Sequence, residues 1–191
     1  MADDFEVLAR FVLEQQFSIG TATFEFADAD EDFKANDPML HAKHERKLLG
    51  SEQVVFYADA DRTIESFRFT VRDLGSARAR VVVRDPDDQP VGEIRFDESR
   101  AKWRLQPEDG VELVGAEPVS AGSIFRKLAN TDLGAPTFVF HRPDGAVAFS
   151  IKKAASPLTG DRYEMALADP GVDVRLLAAL AVAMDIEADE D

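Results

Sequence analysis

Nine consecutive residues near the C-terminus, Leu176-Leu177-Ala178-Ala179-Leu180-Ala181-Val182-Ala183-Met184, contain no polar side chain. Asp173, just after Asp169-Pro170-Gly171, is placed to cap a helix that starts at Val174, because a short side-chain oxygen accepts from the unpaired N–H groups of a first turn. A helix apolar on every side has to be buried on every side. Only a bilayer or a protein core offers that. A bilayer crossing takes about 20 apolar residues, and this run supplies about half of them. The pattern therefore predicts a core helix, with Leu176, Leu177, Leu180, Ala181 and Met184 as its filling side chains. Asp185, Glu187, Asp189, Glu190 and Asp191 follow at once. Anions oppose the macrodipole at a helix C-terminus, so residues 187–191 read as a disordered acidic tail lying in water.

The rest of the chain alternates with period two, which puts one side-chain set on each face of a strand. Phe24 and Phe26 alternate, as do Phe67, Phe69 and Val71, and then Ala77, Ala79, Val81 and Val83 against Arg78, Arg80, Val82 and Arg84. Later strands follow suit at Gly92-Ile94-Phe96, Trp103-Leu105, Phe138-Phe140, Val147-Phe149-Ile151 and Tyr163-Met165-Leu167. Turn signals separate them: Asp73-Leu74-Gly75, Asp85-Pro86-Asp87-Asp88, Pro143-Asp144-Gly145 and Thr159-Gly160-Asp161. Proline presets φ, aspartate caps its own turn and glycine supplies positive φ. Val119 to Asn130 breaks the rhythm, with Ile124 to Ala129 as a short helical turn. A faint internal repeat relates Val83-Arg84-Asp85-Pro86-Asp87, followed by Val91-Gly92-Glu93-Ile94, to Phe140-His141-Arg142-Pro143-Asp144, followed by Val147-Ala148-Phe149. Short strands separated by such turns imply a mainly β fold, an antiparallel sandwich or barrel of about ten to twelve strands, and a single wholly apolar helix in such a chain implies a barrel closed around it.

Length and charge bound the function. The 191 residues suit one domain, spanning 1–191 with a core from about 11 to 186. A formal charge of −15 excludes the clustered positive potential that nucleic-acid binding needs. An apolar share of 45% excludes disorder, which requires low hydrophobicity as well. The acids divide into 22 Asp and 15 Glu and the bases into 15 Arg and 7 Lys. That choice points to a high-salt cytoplasm, where a Debye length of about 3 Å near 1 M salt screens the self-repulsion. There is no cysteine, hence no disulfide, thiolate nucleophile or Cys-bound metal. The acidic N-terminus is not a signal peptide, and a cytoplasmic monomer is expected.

The strand order, the Pro-Asp hairpins and above all the run from Asp173 through Leu176-Leu177 to Met184-Asp185 resemble the tubby C-terminal-like superfamily. Within it the LURP-one-related and phospholipid-scramblase-related branch is the nearest likeness, over about Phe11 to Asp185. The resemblance implies a roughly twelve-stranded barrel threaded by its hydrophobic C-terminal helix. It also implies a non-enzymatic interaction or ligand-binding module, with phospholipid headgroups as one ligand class. Tubby domains bind phosphoinositide headgroups and scramblase relatives act on phospholipids. A scramblase-like membrane-associated role is a further reading. Against it stand the absence of a Cys-rich acylation segment, a Pro-rich extension and a strongly basic groove.

Chemistry-bearing residues are sparse, and no cofactor is expected. His41 and His44, three apart, fall on opposite faces of a strand or together on a helix; with Glu45 they could make part of a metal site but lack a third separated ligand, and they read as a polar surface pair. His141 abuts a turn and reads as a surface residue. Asp28, Asp30 and Asp32 alternate as in a calcium loop, but Phe33 occupies the sixth position, where glycine belongs, and Met39 the twelfth, where glutamate belongs. They read as a hairpin tip, as do Asp59 and Asp61. No Gly-x-Ser-x-Gly elbow occurs. An enzyme working through barrel-mouth carboxylates would need two acids with separated pKa values in one cleft, and no spacing places such a pair. The one basic stripe is Arg78, Arg80 and Arg84 on one strand face, a candidate anion or headgroup site. Smaller clusters are Lys43, Arg46 and Lys47, and Lys152 with Lys153.

Overall fold

The computed structural model describes residues 6–18, 21–45, 53–70, 80–97, 102–116, 137–154 and 160–189. Twelve antiparallel strands follow one another around a closed barrel, and the last pairs with the first. They are β1 (Ala9–Ser18), β2 (Thr21–Ala29), β3 (Ala35–Glu45), β4 (Gln53–Tyr57), β5 (Glu65–Thr70), β6 (Arg80–Arg84), β7 (Pro90–Asp97), β8 (Lys102–Pro107), β9 (Leu113–Ala116), β10 (Thr137–His141), β11 (Val147–Ala154) and β12 (Arg162–Leu167). Closure gives every one of the described strands a neighbour on both sides, which leaves none of them as an edge for another chain.

Each strand faces inward at the positions its alternation predicts. Phe24, Phe26, Phe56, Phe67, Phe69, Phe140 and Phe149 are buried, as are Val81 and Val83. Cross-strand aromatic partners pin the register. Phe56 stacks on Phe67 at 4.1 Å between centroids, Phe140 on Phe149 at 4.2 Å and Phe96 on Trp103 at 4.6 Å, and each pair is directly opposite in the ladder. Pro38, which cannot donate to a ladder, sits at a register shift between β2 and β3.

The helix α1 (Val174–Asp189) occupies the lumen. Every residue from Leu176 to Ala183 is fully buried, as an all-round apolar helix requires. Burying Leu176, Leu177 and Leu180 contributes roughly 1.5–3 kcal/mol each. Since a whole domain nets about 5–15 kcal/mol, the barrel without its helix would not be a stable shell. Asp173 caps α1 by accepting the Arg175 N–H at 2.9 Å, and its carbonyl accepts from Leu176 and Leu177. At that end the helix closes on β7, where a Cβ on Gly92 would lie 2.9 Å from a Leu176 methyl and 2.7 Å from the Gln106 carbonyl. Only glycine leaves the needed space. Among the described residues no helix is long and apolar enough to cross a membrane.

Two readings change. The helix continues past Met184 with Ile186 buried, so residues 187–189, expected in the tail, form its last turn. Neither histidine of the expected surface pair is exposed: His44 is buried on the inward face of β3 with Leu40 and Ala42, and His41, on the other face, is buried as well. One isolated polar residue at an inward position carries no periodic signal, which is why alternation did not place it. Val71, Ala77, Arg78, Ala79 and the segment 119–130 lie outside the described residues.

Candidate functional site

β6 presents Val81 and Val83 to the core, so Arg80, Val82 and Arg84 face outward. Ladder pairing then determines what stands beside them. Arg84 is opposite Arg68 of β5, Arg80 is opposite Arg95 of β7, and Arg95 is opposite Arg104 of β8. The stripe read from one strand is therefore part of a wall of five arginines on four adjacent strands. Arg78 lies outside the described residues. Arg68, Arg95 and Arg104 were missed by sequence reasoning, although each sits between two inward apolar residues: Phe67 and Phe69, Ile94 and Phe96, Trp103 and Leu105. Parity alone marks all three as outward.

Directly opposed like charges destabilise a sheet, and four carboxylates offset them here. Glu93 lies between Arg80, whose Nη2 donates at 2.6 Å, and Arg95, whose Nε donates at closer range. Its side chain is only 14% exposed, and burial pushes its pKa up. Hydrogen bonds and charge from Arg95 and Arg80 outweigh that and hold it below the ordinary glutamate value. Glu65 bonds to Arg68 and raises the guanidinium pKa. Asp88 reaches Arg68 at 3.1 Å, while Arg84 donates to the Asp88 carbonyl at 2.8 Å and has its Nε 3.8 Å from the carboxylate. Glu112 accepts from Arg104 at 2.6 Å. Five arginines against four carboxylates leave this wall at +1 on a chain of −15. Exposed ion pairs contribute roughly 0.2–1 kcal/mol each, too little to withhold these arginines from a dianion that two forks can grip. Between the clusters lies a recess of about 490 Å³ lined by Gln53, Arg68, Phe69, Thr70, Arg80, Val82, Arg84 and Asp88.

The other candidates are not brought together. His41 lies on the outer side of β3 yet is buried, with Nδ1 3.8 Å from Glu25, while His44 points into the barrel. Among the described residues no three His, Asp or Glu side chains converge as metal ligands. Asp30 accepts the backbone N–H groups of Asp32 and Lys34. Asp59 accepts those of Thr63 and Ile64, and the Ile64 bond foremost lowers its pKa. Both are hairpin tips whose carboxylates are occupied by their own turns. His141 places Nδ1 3.3 Å from the Gly145 carbonyl, and Lys153 pairs with Asp161.

One polar arrangement had no sequence signal at all. Asp185, 1% exposed near the end of α1, accepts from Gln15 Nε2 at 2.8 Å. Gln15 in turn accepts the Asp161 N–H at 3.2 Å and donates its own N–H to the Asp161 carbonyl at 2.9 Å. This ties the helix to the β12–β1 seam, joining residues 170 positions apart.

Compared with known families, the chain matches the profile described as LURP-one-related over residues 39–185. No curated protein matches it.

Proposed function

From the premise that the chain belongs to the LURP-one-related family, we propose that it is a non-enzymatic binding module whose ligand is a phospholipid headgroup, held outside the barrel. The observation that carries this reading is the filled lumen. With Leu176 to Ala183 buried against the inward side chains, a ligand meets the outer wall, and there the recess over Val82 offers Arg68, Arg80 and Arg84 around it. Guanidinium forks match phosphate geometry, and the floor of Val82 and Thr70 suits the carbon skeleton of a headgroup. The working protein is a cytoplasmic monomer in this reading. Lipid scrambling is not part of it, because a charge of −15 repels an anionic bilayer except where salt screens it.

Thermal unfolding in concentrated KCl with soluble headgroups tests the proposal. A ligand that binds only the native state raises the melting temperature with concentration. We expect stabilisation by glycerophospho-headgroups that is lost in the R68Q/R84Q variant. Absence of any shift in the wild type would refute headgroup recognition.

A further inference from the structure

We infer a second oxyanion site on the same wall, at the row Arg80–Arg95–Arg104 across β6, β7 and β8, which takes a phosphoryl or sulfate group between Arg95 and Arg104. The row is built by the ladder, since Arg80 is opposite Arg95 and Arg95 opposite Arg104. Directly opposite side chains on one face have Cβ atoms about 5 Å apart, so three guanidiniums stand in line.

Their counter-ions are unevenly placed. Glu93 serves the first junction, accepting from both Arg80 and Arg95. At the second junction Glu112 bonds to Arg104 and acts on Arg95 only through space. Among the described residues no carboxylate bonds to both Arg95 and Arg104. A tetrahedral dianion there would do for the second junction what Glu93 does for the first. The heads are accessible: the Arg80, Arg95 and Arg104 side chains are 62%, 51% and 35% exposed. Each fork keeps donors beyond the one nitrogen that bonds a carboxylate. Arg80 also lines the recess over Val82, but Arg95 and Arg104, which take the anion, do not, so the site stands without headgroup binding there.

Phosphate titrated into the protein at low ionic strength, followed by calorimetry and by 31P line broadening, tests the site. The titration is made in the R68Q/R84Q background, which disables the recess over Val82; the expected result there is saturable binding weakened at least tenfold by adding R95Q/R104Q and strengthened by adding E93Q, which frees two guanidiniums. Arg84, Arg95 and Arg104 are exposed or half-exposed, whereas Arg68 and Glu93 are 24% and 14% exposed, so a single cooperative melting transition is required of each variant before its binding is read. Affinity retained when R95Q/R104Q is added to R68Q/R84Q, or no saturable binding to R68Q/R84Q itself, overturns the proposal. A second arm separates sources of the same chemistry. Retention by phosphatidic acid vesicles that R95Q/R104Q abolishes assigns a lipid phosphate. Glycerol 3-phosphate binding without vesicle retention assigns a soluble ester.

Discussion

The β6–β7 and β10–β11 hairpins are built alike and clothed differently. Both shift register at the same place, between Val83 and Arg84 in one and between Phe140 and His141 in the other. Both close with the same bonds: Asp85 N–H to the Gln89 carbonyl and Asp88 N–H to the Asp85 carbonyl match Arg142 to Ala146 and Gly145 to Arg142. The residue that must turn left-handed is Asp88, with φ 65°, in one and Gly145, with φ 88°, in the other. Even the burial sequence of β7 and β11 is the same. Inside, however, the pair Val83–Gly92 in the first hairpin stands where Phe140–Phe149 stands in the second. Outside, Arg80, Val82, Arg84, Glu93 and Arg95 stand where the second has Thr137, Val139, His141, Ser150 and Lys152. The inner exchange is a matter of space, since α1 leans on the glycine side. The outer exchange changes charge while the parity of the two hairpins stays the same, and the proposed anion sites rest on that difference.

Swapping the inner residues would break the comparison most severely. Gly92→Phe places a ring where even a Cβ lies 2.7 Å from the Gln106 carbonyl and 2.9 Å from Leu176. α1 could not seat, and the cooperative unfolding transition is expected to vanish from the calorimetric trace; a normal transition would mean that the helix does not need this approach. The reciprocal Phe149→Ala empties a fully buried, stacked position and should cost about 3–5 kcal/mol in urea unfolding. A loss below about 1 kcal/mol would show that this side of the barrel collapses to refill the space. Smaller again is Gly145→Ala. Nothing lies within 4 Å of its added Cβ, so the cost is the left-handed φ alone, about 1 kcal/mol. Asp88→Gly should be closer to neutral, because relief at its φ offsets the exposed ion pair to Arg68.

The two hairpins also show what a sequence discloses. Inward parity was readable at Val81, Val83, Phe140 and Phe149 because burial imposes a period, and the all-apolar run at Leu176–Met184 announced a buried helix for the same reason. The turn at Asp85–Asp88 was readable because left-handed φ and side-chain capping restrict residue type. Register was not readable. Whether Arg80 meets Arg95 depends on pairing between strands, and exposed positions tolerate most residues, so nothing in the string marks an arginine's neighbour. The same holds inside for Gln15, His44 and Asp185. Lone polar residues at inward positions depend on partners far away in the chain. The stripe of Arg80 and Arg84 was thus visible in part, and the wall around it came only with the ladder.

The smallest expected effect concerns the carboxylates that anchor each hairpin. Glu93 serves the first through Arg80 and Arg95. Asp169 serves the second, accepting from Arg142 Nη1 at 2.5 Å. The Asp169 pKa is depressed chiefly by the Gly171 N–H it accepts, then by Arg142, against the opposing effect of burial, and Glu93 is depressed as described above. A carboxylate with a folded pKa below its unfolded one stabilises the fold above the unfolded value, about 4, and loses that contribution as pH falls through the folded value. The melting temperature should therefore be flat in these groups from pH 7 to about 5 and fall below about 4. Arg142→Met removes only a secondary cause for Asp169, so the loss below about pH 4 should become slightly smaller and end at a marginally higher pH. Arg95→Met removes the leading stabilising partner of Glu93 and should shrink the acid loss further, with the onset near pH 4 unmoved because the unfolded value sets it. Equal changes in the two variants would mean that the shared hairpin geometry, and not the arginine wall, sets these acidities.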